Sequence, residues 1–335
     1  MLQAARRNRM NDARMQVFEG SDQPREAARG CVLTVGNFDG LHLGHQALLA
    51  AVTARGRALG RPTALYTFDP HPRRVLFPDQ PQPLLMTWPQ LVLGLEQAGV
   101  SILIRERFTA AFAALSPEEF LRDVIAERLA PGEVFVGRDF HFGKGRAGSG
   151  EMLAARAPAL GIRAEILSQV RAGGEDVSST RIREALAAGE IDEANLCLGR
   201  PYTIWGRVVE GDRRGRTLGF PTANLAPENE IIPQNGVYAT RVRLFPEDAG
   251  DRPAAESLPA VTNVGTRPTF APGRVLVETH LLDYTGDLYG RRLELEFRAR
   301  IRAERRFSGP EELAAQIRLD AERARELLRG AGASA

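Results

Sequence analysis

The hydrophobic pattern of this chain changes its period once, near residue 200, and no single layered fold accommodates both textures. From residue 31 short β-rich runs at 31–35, 63–68, 101–104, 133–136 and 164–168 alternate with helical stretches at 45–59, 88–98, 117–129 and 150–160. That rhythm predicts a parallel sheet covered by helices, and five strands suffice for an open, doubly wound α/β domain. From Tyr202 onward the runs at 202–210, 236–244, 260–264, 275–282 and 291–298 are separated by Gly and Pro turns, which predicts a small β-barrel. Leu313, Ile317, Ala321, Ala324 and Leu328 then recur at helical spacing, so a terminal helix lays one apolar stripe on that barrel.

The expected organisation is a loose tail over 1–29, an α/β domain over 30–186, a helical connector over 187–198 and a barrel domain over 199–330. Residues 1–29 carry too few apolar side chains to hold themselves to a core. Their Arg content hints at a transit peptide, a reading that Asp12, Glu19 and Asp22 weaken. After Thr180 the texture is helical to about Leu198, with Ser179 placed to cap and Gly189 to break between two short helices. The stretch 246–257 reads as an exposed hairpin insertion.

Composition sets limits on partners. Lys plus Arg number 44 against 42 Asp plus Glu, and the net charge of +2 argues against nucleic acid as a partner. No run of about 18 apolar residues exists, so no membrane span is expected. Cys31 and Cys197 are the only cysteines, too few for a disulfide framework, and the expected compartment is the cytoplasm. A homo-oligomer stays open.

The densest local signal is the run at 36–45, Gly36-Asn37-Phe38-Asp39-Gly40-Leu41-His42-Leu43-Gly44-His45, between the first strand and the first long helix. Glycines let backbone approach a ligand closely, and a helix start favours phosphate. His42 and His45 add donors for charge building on phosphate oxygens. Either alone reads as a capping or core histidine, but two of the chain's five histidines share this junction.

Three further clusters follow predicted strands or open helices. Asp69, Pro70 and His71 end the second strand, at the sheet edge where open α/β folds bind ligands; a rigid Pro turn is the plain alternative. Asp139 lies in Val136-Gly137-Arg138-Asp139-Phe140-His141-Phe142-Gly143. Ser179, Thr180 and Arg183 open a helix, where hydroxyls and a guanidinium suit phosphate oxygens, although a capped helix needs no more. Gly143, Gly145 and Gly148 spell a dinucleotide fingerprint but stand too far from the preceding strand, and the segment departs from a P-loop in spacing and in lacking the hydroxyl.

In the second half a basic loop from Gly211 through Arg214 to Gly219 meets Pro221, Thr222 and Asn224. Thr222 and Asn224 offer hard oxygens that suit a magnesium ion keeping waters and phosphates as its other ligands; a Pro turn with an Asx cap is the alternative. Glu278, in an apolar strand, can take a proton from an attacking alcohol if it faces the cavity, or simply points outward under strand alternation.

The segments GNFDGLHLGH, FDPHP, VGRDFHFG and VSSTRIR, in that order, resemble the adenylyltransferase module of bacterial bifunctional riboflavin kinase/FAD synthetases over about residues 31–183, and residues 199–328 resemble their riboflavin kinase module. The resemblance implies a nucleotidyltransferase-like Rossmann domain and a riboflavin-kinase barrel, with riboflavin, FMN and ATP as substrates, FAD as product and Mg2+ as cofactor. It implies that His42 and His45 act on ATP phosphates, with Gly36, Phe38, Asp39, Gly44, Asp69, His71 and Asp139 around nucleotide and flavin. Ser179, Thr180 and Arg183 would form the distal phosphate contact, and Asn37 only backbone proximity. Glu278 would be the kinase base, Thr222 and Asn224 the magnesium and ATP site, and the loop from Gly211 a nucleotide flap. His42-Leu43-Gly44-His45 also resembles the signature of class I aminoacyl-tRNA synthetases, but no Lys-Met-Ser-Lys-Ser counterpart follows. A flavin-binding regulator without turnover is the non-enzyme alternative, against which the retained Glu278, Thr222 and Asn224 argue.

Overall fold

Six parallel strands form the first layer of the computed structural model, which describes residues 15–24, 26–211, 220–266 and 275–330. The chain divides into two compact units, one of residues up to Gln82 with Leu91–Val177, the other of Pro83–Gln90 with the residues from Ser178 on.

In the first unit the strands are β1 (Gln16–Glu19), β2 (Val32–Val35), β3 (Thr63–Asp69), β4 (Ile102–Arg107), β5 (Glu133–Gly137), the short pair β6 (His141–Phe142) and β7 (Gly148–Ser149), and β8 (Arg163–Leu167). Sheet order is β1-β4-β3-β2-β5-β8. The chain winds outward from β2 through β3 and β4, then jumps to β5 on the other side. The carboxyl ends of β2 and β5 therefore flank a topological switch point, where doubly wound sheets place their ligands. Every residue of β2 is buried, as a central strand covered on both faces must be. Leu33, Val35, Val134 and Val136 share a core with Phe120, Leu121, Val124 and Ile125.

The expectation of a loose tail over 1–29 needs correction at 16–19. Gln16–Glu19 pairs in parallel with β4, Gln16 opposite Ile102 and Glu19 opposite Arg105. Val17 is exposed, but Phe18 packs against the core of the unit and Met15 is buried. The segment is held by that apolar contact, by its backbone ladder and by the Glu106 carboxylate, which accepts from Ser21 N (2.9 Å) and the Tyr66 hydroxyl (2.7 Å).

A small hairpin, β9 (Arg171–Ala172) with β10 (Glu175–Asp176), ends the first unit. In the second unit the helices Ser179–Ala188 and Ile191–Leu198 precede β11 (Tyr202–Val209), β12 (Ala223–Pro227), β13 (Gly236–Leu244), β14 (Leu258–Thr266), β15 (Val275–Leu281) and β16 (Arg292–Arg302). These six strands close an antiparallel barrel in the order β11-β12-β15-β14-β13-β16. β12 is a strand where the sequence suggested a turn and a cap: Asn224 and Leu225 pair with β11 on one side and β15 on the other. Residues 246–257 join the β13–β14 hairpin, as expected of an insertion.

The barrel interior is filled by Ile204, Tyr238, Val242, Leu295 and Phe297, all fully buried. A row of hydroxyls runs through it, from Thr240 to Thr262 (2.8 Å) to Thr279 (2.7 Å). The helix Pro310–Gly330 covers part of the outer wall, with Ala321, Ala324 and Leu328 against Val237, Ala239 and Val261. Arg302 clamps its buried Asp320 at 2.7 Å. Residues 83–90 are sewn into this same unit from far upstream. Leu85 is buried and its carbonyl accepts from the Tyr202 hydroxyl (3.1 Å), while the Gln90 side chain accepts from the buried Asn229 amide (2.8 Å).

Candidate active sites

At the carboxyl end of β2, Gly36 N extends the ladder to Tyr66 O (3.1 Å). The turn then uses left-handed backbone at Gly40 (φ 92°) and Leu41 (φ 44°) to swing into the helix Leu43–Leu59. His42 caps that helix, its Nδ1 accepting from His45 N at 3.4 Å. A ring nitrogen that accepts has no proton, so the cap leaves the His42 ring hydrogen on Nε2, where it is able to donate. The capping reading is thus correct for His42, and capping also sets its tautomer.

The His42 and His45 rings stack at 3.7 Å between centroids and 18° between planes, and Phe38 lies 4.7 Å from His45. Gly44 permits the stack, since a Cβ there would stand 3.1 Å from the His42 ring. Burial, and then the neighbouring His42, hold the His45 pKa well below the usual imidazole value. His45 is therefore neutral at pH 7, and its ring can hydrogen-bond without carrying a charge. Its buried Nδ1 has no hydrogen-bond partner among the described residues. Asp39 is buried beside this turn.

Because the strands are parallel, the ends of β3, β4 and β5 share the edge reached by β2. Asp69 is paired with Arg105, whose Nε lies 2.8 Å from Oδ2. His71 caps the short helix Pro72–Leu76, its Nδ1 accepting from Arg73 N at 3.2 Å. Asp139 is exposed, and its carbonyl lies 2.8 Å from His141 Nδ1. Sequence reasoning missed Arg105 and a series of aromatic rings beyond this edge: Phe68 to Phe108 (5.6 Å), Phe68 to Phe112 (5.7 Å), Phe112 to Phe120 (6.2 Å) and Phe120 to Phe142 (5.3 Å). Phe108 and Phe112, four apart directly after β4, were the available signal. Gly143, Gly145 and Gly148 lie in and beside the turn joining β6 to β7, not at a strand-to-helix junction, which rules out the fingerprint reading.

The hydroxyl cluster belongs to the second unit. Its helix Ser179–Ala188 is capped by Ser178, whose Oγ accepts from Arg181 N at 3.2 Å, so the cap is one residue earlier than expected. Ser179 and Thr180 open the helix, and Arg183 Nε donates to Pro83 O (2.9 Å). Gly189 ends the helix in left-handed conformation at φ 75°, as its position suggested.

On the barrel, Glu278 pairs directly with Asn224 on β12 and with Asn263 on β14. Its neighbours Val277 and Thr279 are buried in the interior. Strand alternation therefore turns Glu278 to the outer wall, and any cavity it serves lies outside the barrel. Asn224 is buried on that wall because Gly211, which lacks a side chain, passes against its amide. Thr222 stands half-buried just before β12. The Pro221 carbonyl lies 2.8 Å from His280 Nδ1, and the Phe220 ring packs edge-on to His280. Arg214 and Gly219 lie outside the described residues. Among the described residues no group of three or more His, Cys, Asp or Glu is arranged to hold a metal.

A family model described as FAD synthetase matches residues 24–181, and one described as riboflavin kinase matches residues 198–328. The bifunctional riboflavin kinase/FMN adenylyltransferase of Escherichia coli strain K12 is 40% identical over 306 residues, covering 91% of this chain and 94% of its own. The proteins of that name from Pseudomonas fluorescens and Bacillus subtilis are 39% and 35% identical, over 93% and 90% of this chain and 98% and 93% of their own. A crystal structure titled as a macrolide-efflux protein from Streptococcus pneumoniae superposes with a TM-score of 0.82 at 27% identity, over 93% of this chain and 99% of that one. Among the described residues of this chain no helix is long and apolar enough to cross a membrane.

Proposed function

The chain belongs to the bifunctional riboflavin kinase/FMN adenylyltransferase family, and from that premise we propose how its residues divide the work of making FAD. Riboflavin and ATP yield FMN and ADP on the barrel; FMN and a second ATP yield FAD and pyrophosphate on the parallel sheet.

In the kinase reaction the terminal hydroxyl of riboflavin must lose a proton as it attacks the γ-phosphorus. Glu278 is assigned as the acceptor of that proton. Thr222 and Asn224 hold the ATP phosphates together with magnesium, and the loop from Gly211 through Arg214 and Gly219 covers them. The donor set fits such an ion. Two neutral oxygens cannot retain Mg2+ alone, but they suit one that arrives with nucleotide phosphates and keeps waters. When bound, the ion neutralises charge developing on the transferred phosphoryl group.

In the adenylyl transfer the FMN phosphate is already an anion and needs no base. The chain's task is alignment and hydrogen bonding of the developing charge. His42 and the neutral His45 at the helix start supply donors, and Gly36, Phe38, Asp39 and Gly44 shape the nucleotide seat. Asp69, His71 and Asp139 border the FMN side, where the half-buried Phe68, Phe108 and Phe112 suit a flat apolar ring. The phosphate role of Ser179, Thr180 and Arg183 is a proposal that the motif alone supports. Cys31 and Cys197 are buried and not disulfide-bonded, which suits a reducing compartment, and the cytoplasm is proposed on that ground.

The observation that carries the reading is the stacked imidazole pair at a helix start on the switch point of the sheet. Chromatography of products from riboflavin, ATP and magnesium tests it: His45→Ala should accumulate FMN, Glu278→Gln should convert supplied FMN to FAD but leave riboflavin untouched, and the opposite pattern would sink the division.

A further inference from the structure

Glu278 has an asparagine on each side, and the nucleotide accounts for only one of them. In-line phosphoryl transfer keeps the leaving and attacking oxygens on opposite sides of phosphorus. With the nucleotide entering over β12, at Thr222 and Asn224, the acceptor alcohol lies over β14. Asn263 stands there, paired with Glu278 at one strand spacing, about 4.8 Å between strands. Two residues on, and on the same face, Gly265 has no side chain, and the Glu304 carboxylate occupies the space that one would need. The Asn235 amide holds Glu304 there, with Nδ2 3.1 Å from Oε2. Asn263 Nδ2 borders the same space, 3.6 Å from where a Gly265 Cβ would stand. An amide and a second carboxylate thus stand on the acceptor side of the base, and proton transfer requires neither.

We propose that Asn263 and Glu304 read the internal hydroxyls of the ribityl chain and so set the kinase's preference for a polyol-bearing flavin. The proposal rests on Glu278 as the base. The amide both donates and accepts, and the carboxylate accepts from a hydroxyl. A flavin whose side chain ends in the reactive hydroxyl but lacks the internal ones leaves Asn263 and the outer lone pairs of Glu304 without the substrate hydroxyls they would otherwise bind. A site built to hydrogen-bond a substrate hydroxyl discriminates in this way.

Steady-state phosphorylation of riboflavin and of an N10-(5-hydroxypentyl) flavin, which keeps only the terminal hydroxyl, tests the assignment in the full-length protein with saturating ATP and magnesium. The unaltered enzyme should favour riboflavin in kcat/KM. Asn263→Ala and Glu304→Ala should each lower kcat/KM for riboflavin by about tenfold, leave the hydroxypentyl flavin within about twofold, and leave the KM for ATP unchanged. Glu304 is exposed, so its variant keeps the test usable if the Asn263 variant fails to fold. An unchanged preference in Glu304→Ala, or a rise in the KM for ATP in its place, overturns the proposal. Glu278→Gln separates the two levels: if it leaves riboflavin phosphorylation intact, the assignment of the base fails whatever the specificity data say.

Discussion

The two sites proposed to handle phosphate in this molecule carry opposite equipment. The sheet site presents two imidazoles stacked at a helix start, that of His45 neutral, whereas the barrel site presents a carboxylate between two amides on the outer wall of a strand. The contrast follows the nucleophiles. An alcohol must be deprotonated, so its site needs a base; a phosphate monoester is already charged, so its site needs none. Burial that keeps His45 neutral is tolerable where hydrogen bonding suffices. The same burial applied to Glu278 would raise its proton affinity and trap the proton it receives.

The sharpest way to break this comparison is Glu278→Gln, which should lower kinase turnover by about 10² to 10⁴ and leave FMN adenylylation within twofold, by the usual worth of a general base. Next, His45→Ala should lower adenylylation by about 10² with kinase activity unchanged, the typical loss of one preorganised donor. Equal loss of both activities in either variant, with folding intact, would erase the distinction.

Acidity sharpens the contrast further. The folded His45 pKa lies below its unfolded value of 6.5, so the unfolded chain binds more protons as pH falls. The stability tied to neutral His45 is complete above that value and is lost progressively below it. Thermal melts of the whole protein should therefore show the first unit weakening between pH 7 and pH 5, and His45→Gln should flatten that slope. The smallest expected effect is Ser178→Ala, which removes a helix cap worth about 1 kcal/mol. It should lower the melting temperature slightly and leave both base and imidazole chemistry in place.

Much of this was legible before any coordinates. The βα rhythm, the late turn to short strands and the terminal stripe all follow from periodicity, because burial of a face imposes its period on the residues that fill it. The histidine turn was legible because two rare side chains fell on one strand-to-helix junction. What escaped depended on partners distant in sequence. Gln16–Glu19 is only four residues long, too short a run for its alternation to register as a strand, and pairing with β4 makes it one. Ala223–Pro227 hides behind Pro221 and its Asn, and becomes a strand because barrel closure gives it two neighbours. The orientation of Glu278 turned on parity against Val277 and Thr279 and could not be chosen until the interior was known. Arg105 and the rings from Phe68 to Phe142 come from four separate segments, and their convergence is a property of the sheet edge.

Residues 83–90 carry a consequence for how such proteins can be recombined. A barrel transplanted from a relative by exchanging only the sequence after position 178 would arrive without Leu85 and Gln90, and Tyr202 and Asn229 would face someone else's chain. The unit that folds together is thus longer than the stretch that encodes most of it, and a viable chimera has to bring along eight residues from far upstream.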